Sequence, residues 1–341
     1  MKILKRLSAL MLAMLLLLSF AACGGKDGGE DSDVTDAPET NYEREVKTKI
    51  AALNGPTGLG LAEIKADRSY AYDVEYYSDP QEVGPLLIKG EVDIAALPLN
   101  MAANLYKKTD GKIKMLAINT LGVLHVLSKD DSIKSVADLK GKTVYSSGQG
   151  ATPEYIVNYI LRKNGLEPGK DVTIEYKTAH NELATLAVEG SVDICILPEP
   201  FVSKVLSKNE SYKRVLDLTE EWGKVSSAKL AQGCLVARAD YIEQNPEIIK
   251  EFMSFYEASV NFVNNENNAG AVFLAKNGYF DTPQLAADTI PNCNIVFITG
   301  EEMKKTATEN FTVLFEANPA SVGGEIPADA LYYLSLIHIS E

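Results

Sequence analysis

The stretch Gly90-Glu-Val-Asp-Ile-Ala-Ala-Leu-Pro98 returns 100 residues later as Gly190-Ser-Val-Asp-Ile-Cys-Ile-Leu-Pro198. Aligned without gaps, residues 81–100 and 181–200 share eight identities in twenty: Glu82, Leu86, Gly90, Val92, Asp93, Ile94, Leu97 and Pro98. Unrelated segments of average composition would share roughly one or two. The chain therefore carries an internal structural repeat. Upstream the match thins but keeps its pattern, with Asp73-Val-Glu-Tyr-Tyr facing Thr173-Ile-Glu-Tyr-Lys.

Each copy reads as strand, helix, strand, helix, strand. The first is expected over 49–54, 59–66, 72–77, 81–89 and 92–97, the second over 143–147, 153–164, 172–177, 181–189 and 192–197. Short runs rich in Val, Ile and Leu, alternating with amphipathic helices, indicate parallel strands covered on both faces. Two such βαβαβ units make an α/β protein of two lobes, each built on a parallel sheet. Within the repeated line, Gly90 and Gly190 fall where a helix ends and the left-handed conformation favours Gly. Val-Asp-Ile then opens a buried strand, and Pro98 and Pro198 stop it. Asp93 and Asp193 start their strands, away from the carboxyl ends where such sheets bind ligands, so a structural role is expected for both.

The copies sit in a chain of 341 residues, 46% hydrophobic and 23% charged, which is a globular composition. Thirty-three basic against 47 acidic residues give a net charge of −14, and Lys2, Lys5 and Arg6 supply three of the positives. A chain this acidic repels phosphate backbones, so no nucleic acid is expected as a partner.

The first residues explain where those positives belong. Met1-Lys-Ile-Leu-Lys-Arg precedes an apolar run over 7–20 and then Ala21-Ala-Cys-Gly-Gly. A basic start, a short apolar stretch and small residues at a cleavage point make a secretory signal over 1–22, too short for a comfortable membrane span. The small-small-Cys ending resembles a bacterial lipobox, with Cys23 acylated, although Phe20 stands where Leu is usual; ordinary cleavage near Ala22 is the alternative. Residues 23–45 hold the lipidated Cys and an acidic, Gly-rich linker with almost nothing to bury. The other cysteines, Cys195, Cys234 and Cys293, are odd in number and show no metal-ligand spacing. Buried free thiols are expected, with no metal and no cofactor.

Between the copies, Leu121-Gly-Val-Leu-His-Val-Leu-Ser reads as a strand, and after the second copy Gln232-Gly-Cys-Leu-Val-Ala-Arg reads as another. These are expected to carry the chain between lobes as a two-strand hinge. Lobe one then comprises 46–124 plus 232–334, and lobe two 125–231. Asn245-Pro246 caps a long helix with Ile249, Phe252, Phe255, Tyr256 and Val260 on its apolar face, expected to pack on lobe one.

Ligands of open parallel sheets sit at strand carboxyl ends, over helix N-termini. Four such turns are legible: 54–58, 98–101, 146–154 and 198–201. The candidate ligand-binding residues are Asn54, Thr57, Gly58, Asn100, Ser147, Gln149, Gly150, Ala151, Thr152, Glu199 and, from the strand after the second copy, Gln232. In the third turn Thr152 suits an N-cap, Pro153 the first helical position and Glu154 the helix dipole. None of the four turns holds Arg or Lys, whereas a site for a strong anion usually carries a guanidinium. A neutral or cationic, heteroaromatic ligand fits better; an anion held by helix N-termini alone stays open.

No catalytic residue is assigned. GxSxG, HExxH and P-loop patterns are absent from the sequence. His125 falls in a hinge strand and reads as packed, His180 sits on a turn that could reach the cleft, and Trp222 reads as an anchor between lobes rather than a stacking platform.

Four lines now combine: Asp138-Leu-Lys-Gly-Lys-Thr-Val, the doubled GxVDI, Ile290-Pro-Asn-Cys-Asn-Ile-Val-Phe and Asn318-Pro-Ala-Ser-Val-Gly-Gly-Glu-Ile-Pro. With the lipobox and acidic linker, they resemble the solute-binding lipoproteins of ABC importers, and more narrowly the nitrate, sulfonate and taurine group with its NMT1/THI5-like members. That resemblance, over about 47–333, implies a type II periplasmic-binding-protein fold that closes on a small molecule by hinge motion. It further implies delivery to a permease and ATPase, an extracytoplasmic place on the cell membrane, a monomer and no enzymatic activity. The ligand would be pyrimidine-like or a sulfonate or nitrate anion. The alternatives are an enzyme on the same fold, such as a pyrimidine-precursor synthase or lyase, and a surface receptor without a transporter. The closing segment over 335–341 does not continue the pattern; it looks like translated adapter sequence and is assigned no function.

Overall fold

The computed structural model describes residues 47–66, 71–265 and 268–334. The signal segment, Cys23, the acidic linker and the closing segment lie outside the described residues. The first repeat copy folds as β1 (Thr48–Leu53), α1 (Pro56–Leu59), α2 (Ala62–Ala66), β2 (Tyr72–Tyr77), α3 (Pro80–Lys89) and β3 (Ile94–Pro98), followed by α4 (Leu99–Lys108) and β4 (Ile113–Leu121). Where the sequence predicts one helix after β1 there are two, because the chain is pinned at its glycines. A Cβ on Gly58 would lie 2.2 Å from the Leu53 carbonyl oxygen, and one on Gly60 would lie 2.5 Å from the Tyr256 hydroxyl.

Beyond β4 come β5 (Leu124–Ser128), β6 (Thr143–Ser147), α5 (Thr152–Lys163), β7 (Thr173–Lys177), α6 (His180–Val188), β8 (Ile194–Pro198), α7 (Phe201–Lys208), β9 (Lys213–Asp217) and α8 (Leu218–Val225). The chain closes with β10 (Ala231–Arg238), α9 (Ala239–Gln244), α10 (Pro246–Val263), α11 (Ala269–Lys276), α12 (Pro283–Thr289), β11 (Ile295–Ile298) and α13 (Gly300–Ala317).

Among the described residues the strands form two sheets, ordered β11-β4-β10-β3-β1-β2 and β7-β6-β8-β5-β9. The repeat is visible in the register. β1 runs parallel to β2 from Thr48 opposite Tyr72 to Leu53 opposite Tyr77, and β6 runs parallel to β7 from Thr143 opposite Thr173 to Ser147 opposite Lys177. Neither sheet is wholly parallel, however. β10 is antiparallel to β3 and β4, and β5 is antiparallel to β8 and β9. Each is the first strand the chain lays down after changing sheets. It enters beside the carboxyl end of a parallel strand, Leu124 opposite Pro198 and Gly233 opposite Pro98, and must run away from that edge.

The changes of sheet occur between strands rather than within them. β4 stays in the first sheet to Leu121 and β5 opens in the second at Leu124, leaving Gly122 and Val123 as the crossing. The return runs over 226–230, between α8 and β10. Gly122 is required by close approach, since a Cβ there would meet Thr219 Oγ1 at 2.2 Å.

Both sheets are covered on two faces, which explains the apolar run of the repeated line. In β3, Ile94 and Ala96 join the core beneath α10 while Ala95 and Leu97 join the core beneath α4 and α13; in β8, Ile194 and Ile196 pack with Trp222, and Cys195 and Leu197 with Leu183 and Val205. Each large aliphatic side chain buried this way contributes about 1.5–3 kcal/mol. Helix α10 buries Ile249, Phe252, Tyr256 and Val260 against the first sheet, with Phe255 half-buried at its flank. Gly90 and Gly190 cap their helices at φ 72° and 76°. Asp93 accepts the Lys49 amide at 3.0 Å and Asp193 meets Lys129 Nζ at 3.1 Å, so both tie the strand start to its surroundings. The three cysteines are buried and free.

Candidate functional site

The carboxyl ends of β1, β3, β4, β6 and β8 face one another across a cleft between the two sheets. It encloses about 530 Å³, counting its open mouth. Its wall is proline-rich, with Pro56, Pro80, Pro98, Pro153 and Pro198, and its polar groups are Asn54, Thr57, Ser78, Thr120, His180 and Gln232. No residue lining it bears a Lys, Arg, Asp or Glu side chain. Pro56, Pro80 and Pro153 each stand in the first turn of a helix that begins at the cleft. They fit those positions because their missing N–H has no intrahelical partner to lose. The same absence leaves fewer backbone donors for an anion.

Gln232, at the start of β10, is 6% exposed, and its Nε2 finds no hydrogen-bond partner among the described residues. Leaving a buried amide unpaired costs about 1–3 kcal/mol, so this one is disposed to take a partner from the cleft. Opposite it, Ser147 Oγ lies 2.7 Å from His180 Nδ1. Burial holds the His180 imidazole down at about 4, so the ring is neutral near pH 7 and one of its nitrogens is an acceptor. The ring packs against Phe201 with centroids 5.5 Å apart.

Of the residues singled out in sequence, Asn54, Thr57, Ala151, His180 and Gln232 line this cleft. Asn54 donates to Ser78 Oγ at 3.1 Å near the mouth. Ser147 is buried behind His180. Gly58 packs on the Leu53 carbonyl and its own carbonyl accepts from Tyr76, 2.8 Å. Gln149 is exposed and outside the lining, between Gly148 and Gly150, which hold φ 79° and 75°.

Asn100 and Thr152 meet each other instead. The Thr152 hydroxyl donates to Asn100 Oδ1 at 3.0 Å and accepts the Asn100 amide at 3.1 Å, while Asn100 Nδ2 donates to the carbonyls of Gly150 at 3.3 Å and Ser321 at 3.2 Å. Thr152 is therefore not the N-cap the sequence suggests. Ala151 holds that position, and the Glu154 carboxylate takes up the Gly150 N–H at 2.6 Å. Glu199 is wholly buried, accepting from Ser203 N and Oγ at 3.0 Å each and from Arg214 at 2.5 Å. Burial raises its carboxyl, and the hydrogen bond from Ser203 N and the Arg214 charge oppose that rise.

Two further side chains have packing roles away from the cleft. His125 is buried with Nδ1 3.7 Å from Asp217 and is held down at about 4 by burial and then by Arg214. Trp222 lies inside the second lobe, not between lobes, donating Nε1–H to the Ala228 carbonyl at 2.7 Å beside Tyr159. Ser78, Pro80 and Thr120, which sequence reasoning missed, also sit at strand carboxyl ends, after β2 and at the end of β4. Applying the strand-end rule to every strand would have found them.

The NMT1/THI5-like family model matches residues 72–269, more than half of the chain. Among solved structures, an ABC transporter from Parabacteroides distasonis is similar at 25% identity and TM-score 0.67, covering 84% of this chain and 99% of that one. The alkanesulfonate-binding protein SsuA from Xanthomonas axonopodis pv. citri, bound to MOPS, matches in fold at 15% identity and TM-score 0.66, covering 85% and 98%. The periplasmic nitrate-binding protein NrtA from Synechocystis PCC 6803 matches at 18% identity and TM-score 0.55, covering 74% and 70%. No curated protein matches the chain. No helix among the described residues is long and apolar enough to cross a membrane.

Proposed function

The chain belongs to the NMT1/THI5-like family, and on that premise we propose that it captures a small neutral, heteroaromatic solute between its two lobes as the receptor of an ABC importer. The observation that carries this reading is the unpaired Gln232 amide, buried in a cleft with no charged lining. A flat solute with both a donor and an acceptor on its edge would satisfy Gln232 from the first lobe and His180 or Thr57 from either side, while the prolines supply apolar walls. Bridging the lobes would stabilise the closed form by the ligand's differential affinity for it, with motion at residues 122–123 and 226–230. The closed form would be presented to a permease and its ATPase. A lipid on Cys23 would hold the monomer at the outer face of the cell membrane.

The solved neighbours named for alkanesulfonate and nitrate make an anion the natural rival. It would rest on the N-termini of α5 and α6, without a cationic side chain in the lining. A thermal-shift panel of pyrimidines, aromatic amines, taurine and nitrate separates the two. A ligand at about 100 times its dissociation constant adds about 2.7 kcal/mol, a shift of several degrees. A shift with taurine or nitrate alone overturns the neutral reading.

An enzymatic reading draws on the 2.7 Å Ser147–His180 contact, which has the spacing of a nucleophile and base. An imidazole held at about 4 is a weak base near pH 7, and no carboxylate hydrogen-bonds to it among the described residues. Mass spectrometry of candidate ligands incubated with the protein decides: a new product would sink the receptor reading.

A further inference from the structure

Next to the cleft lies a larger groove of about 990 Å³, counting its open mouth. The two spaces share Asn54, and the next residue, Gly55, lines the groove. A Cβ on Gly55 would be in ordinary contact with second-lobe rings, 3.6 Å from Phe201 and 3.8 Å from His180, so this first-lobe turn faces the second lobe; its φ of 142° is what favours glycine. Phe201 faces the groove and packs on His180, which lines the cleft.

The groove's other walls are Tyr76, Tyr279, Phe280 and Leu285 from the first lobe. Tyr76 and Tyr279 meet edge-on with centroids 5.8 Å apart, and Tyr76 is anchored by its bond to the Gly58 carbonyl. The rim holds one positive and one negative group, Lys204 and Asp281, so it asks for no net charge. Lys208 reaches from α7 to Asp281 at 2.6 Å, clasping the lobes at the groove's edge. The groove thus exists, like the cleft, only when the lobes are together.

We propose that this aromatic groove is a second subsite, which takes an apolar aromatic substituent of the same solute whose polar head occupies the cleft. This rests on the cleft binding a neutral head. Continuity through Asn54 and Gly55 identifies the occupant, and ring-on-ring contact with Tyr279 and Phe201 would hold it. The full ligand is then a two-part molecule, a hydrogen-bonding heterocycle extended by an aryl group.

The test compares cytosine with its N-benzyl derivative by calorimetry, on the wild-type protein, Tyr279→Ala and Gln232→Ala. The benzyl compound should bind at least about tenfold tighter to wild type, as expected for burying a ring. Tyr279→Ala should remove that gain while leaving cytosine unchanged, and Gln232→Ala should weaken both compounds. Should Tyr279→Ala fold poorly, Leu285→Gln on the same groove serves in its place. Equal affinity of the two compounds for wild type overturns the subsite and leaves the head reading intact. The groove is also probed alone by the fluorine resonance of para-fluorobenzyl alcohol, which should broaden with wild type and not with Tyr279→Ala; no broadening with wild type overturns the subsite. Broadening without any cytosine binding upholds the groove and removes the neutral-heterocycle reading of the cleft.

Discussion

The hydroxyl of Thr152, at the start of α5 on the second sheet, donates to Asn100 Oδ1 at 3.0 Å, at the start of α4 on the first. The same hydroxyl accepts the Asn100 amide, and both residues are essentially inaccessible. This pair ties the lobes together without any ligand. Thr152→Val leaves two Asn100 groups unpaired at a cost of about 1–3 kcal/mol, charged to the closed form alone. Small-angle scattering of the ligand-free variant should show a larger radius of gyration. An unchanged radius would mean that the pair does not govern closure.

Gln232→Met is expected to act with opposite signs on stability and binding. Removing a buried, unpaired amide should raise the ligand-free unfolding midpoint, by about 1 kcal/mol of stability. The same change removes the ligand's partner and should weaken binding about tenfold. Differential scanning fluorimetry and calorimetry read the two effects separately. A destabilised variant with unchanged affinity would show that Gln232 is a packing residue.

Gly58→Ala tests the close approach after β1. The added methyl would sit 2.2 Å from the Leu53 carbonyl oxygen and 2.7 Å from the Tyr76 ring, and overpacking of this kind costs about 1–3 kcal/mol. Gly223→Ala, inside α8 with nothing within 4 Å of the new methyl, should instead be neutral or stabilising by up to about 1 kcal/mol through helix propensity. The urea midpoint should fall for Gly58→Ala and hold or rise for Gly223→Ala.

Glu199→Ala is expected to lower stability by about 1–3 kcal/mol, mainly because it leaves the Ser203 donors unanswered beside a buried site, while the exposed Arg214 can turn to water. Chemical denaturation measures this. Normal stability with lost binding would assign Glu199 to the ligand.

Acidification should destabilise the protein through His125, which is buried, and His180, which is half-buried at the cleft. Burial holds His125 and His180 at about 4, below the ordinary 6.5. Above about pH 6.5 both are neutral in the folded and unfolded chain, and their contribution is complete. Below it the unfolded chain takes up protons that the native chain refuses until about pH 4, so stability falls by about 1.4 kcal/mol per pH unit per histidine. Glu199 opposes this near the acid end, since its raised carboxyl binds a proton in the native state first. Urea unfolding at about pH 7 and pH 5.5 should differ by about 2–3 kcal/mol, and His125→Gln should reduce that difference. A flat profile would show that neither imidazole stays neutral on folding.

The repeated line was readable because its constraints are local. Gly90 and Gly190 must adopt positive φ, Val-Asp-Ile must start a strand buried on both faces, and Pro98 and Pro198 cannot continue the ladder; neighbours along the chain impose all of this. The strand-end turns were legible for the same reason, and Asn54, Thr57 and Ala151 followed from them, while Gln232 came from the strand that returns to the first sheet. What the polar side chains in those turns do was not legible. Asn100, Thr152 and Glu199 look alike in sequence as candidate ligand contacts, yet the first two bind each other across the lobes and the third neutralises Arg214. Their partners lie 52, 52 and 15 residues away along the chain, at distances no local pattern encodes. The sequence by itself determined the duplicated α/β units, their strand ends and the scarcity of cations there. Only the tertiary structure decided which polar groups were used up in holding the lobes together and that, in the cleft lining, the Gln232 Nε2 was left without a partner among the described residues, because hydrogen-bond satisfaction depends on the whole packed neighbourhood.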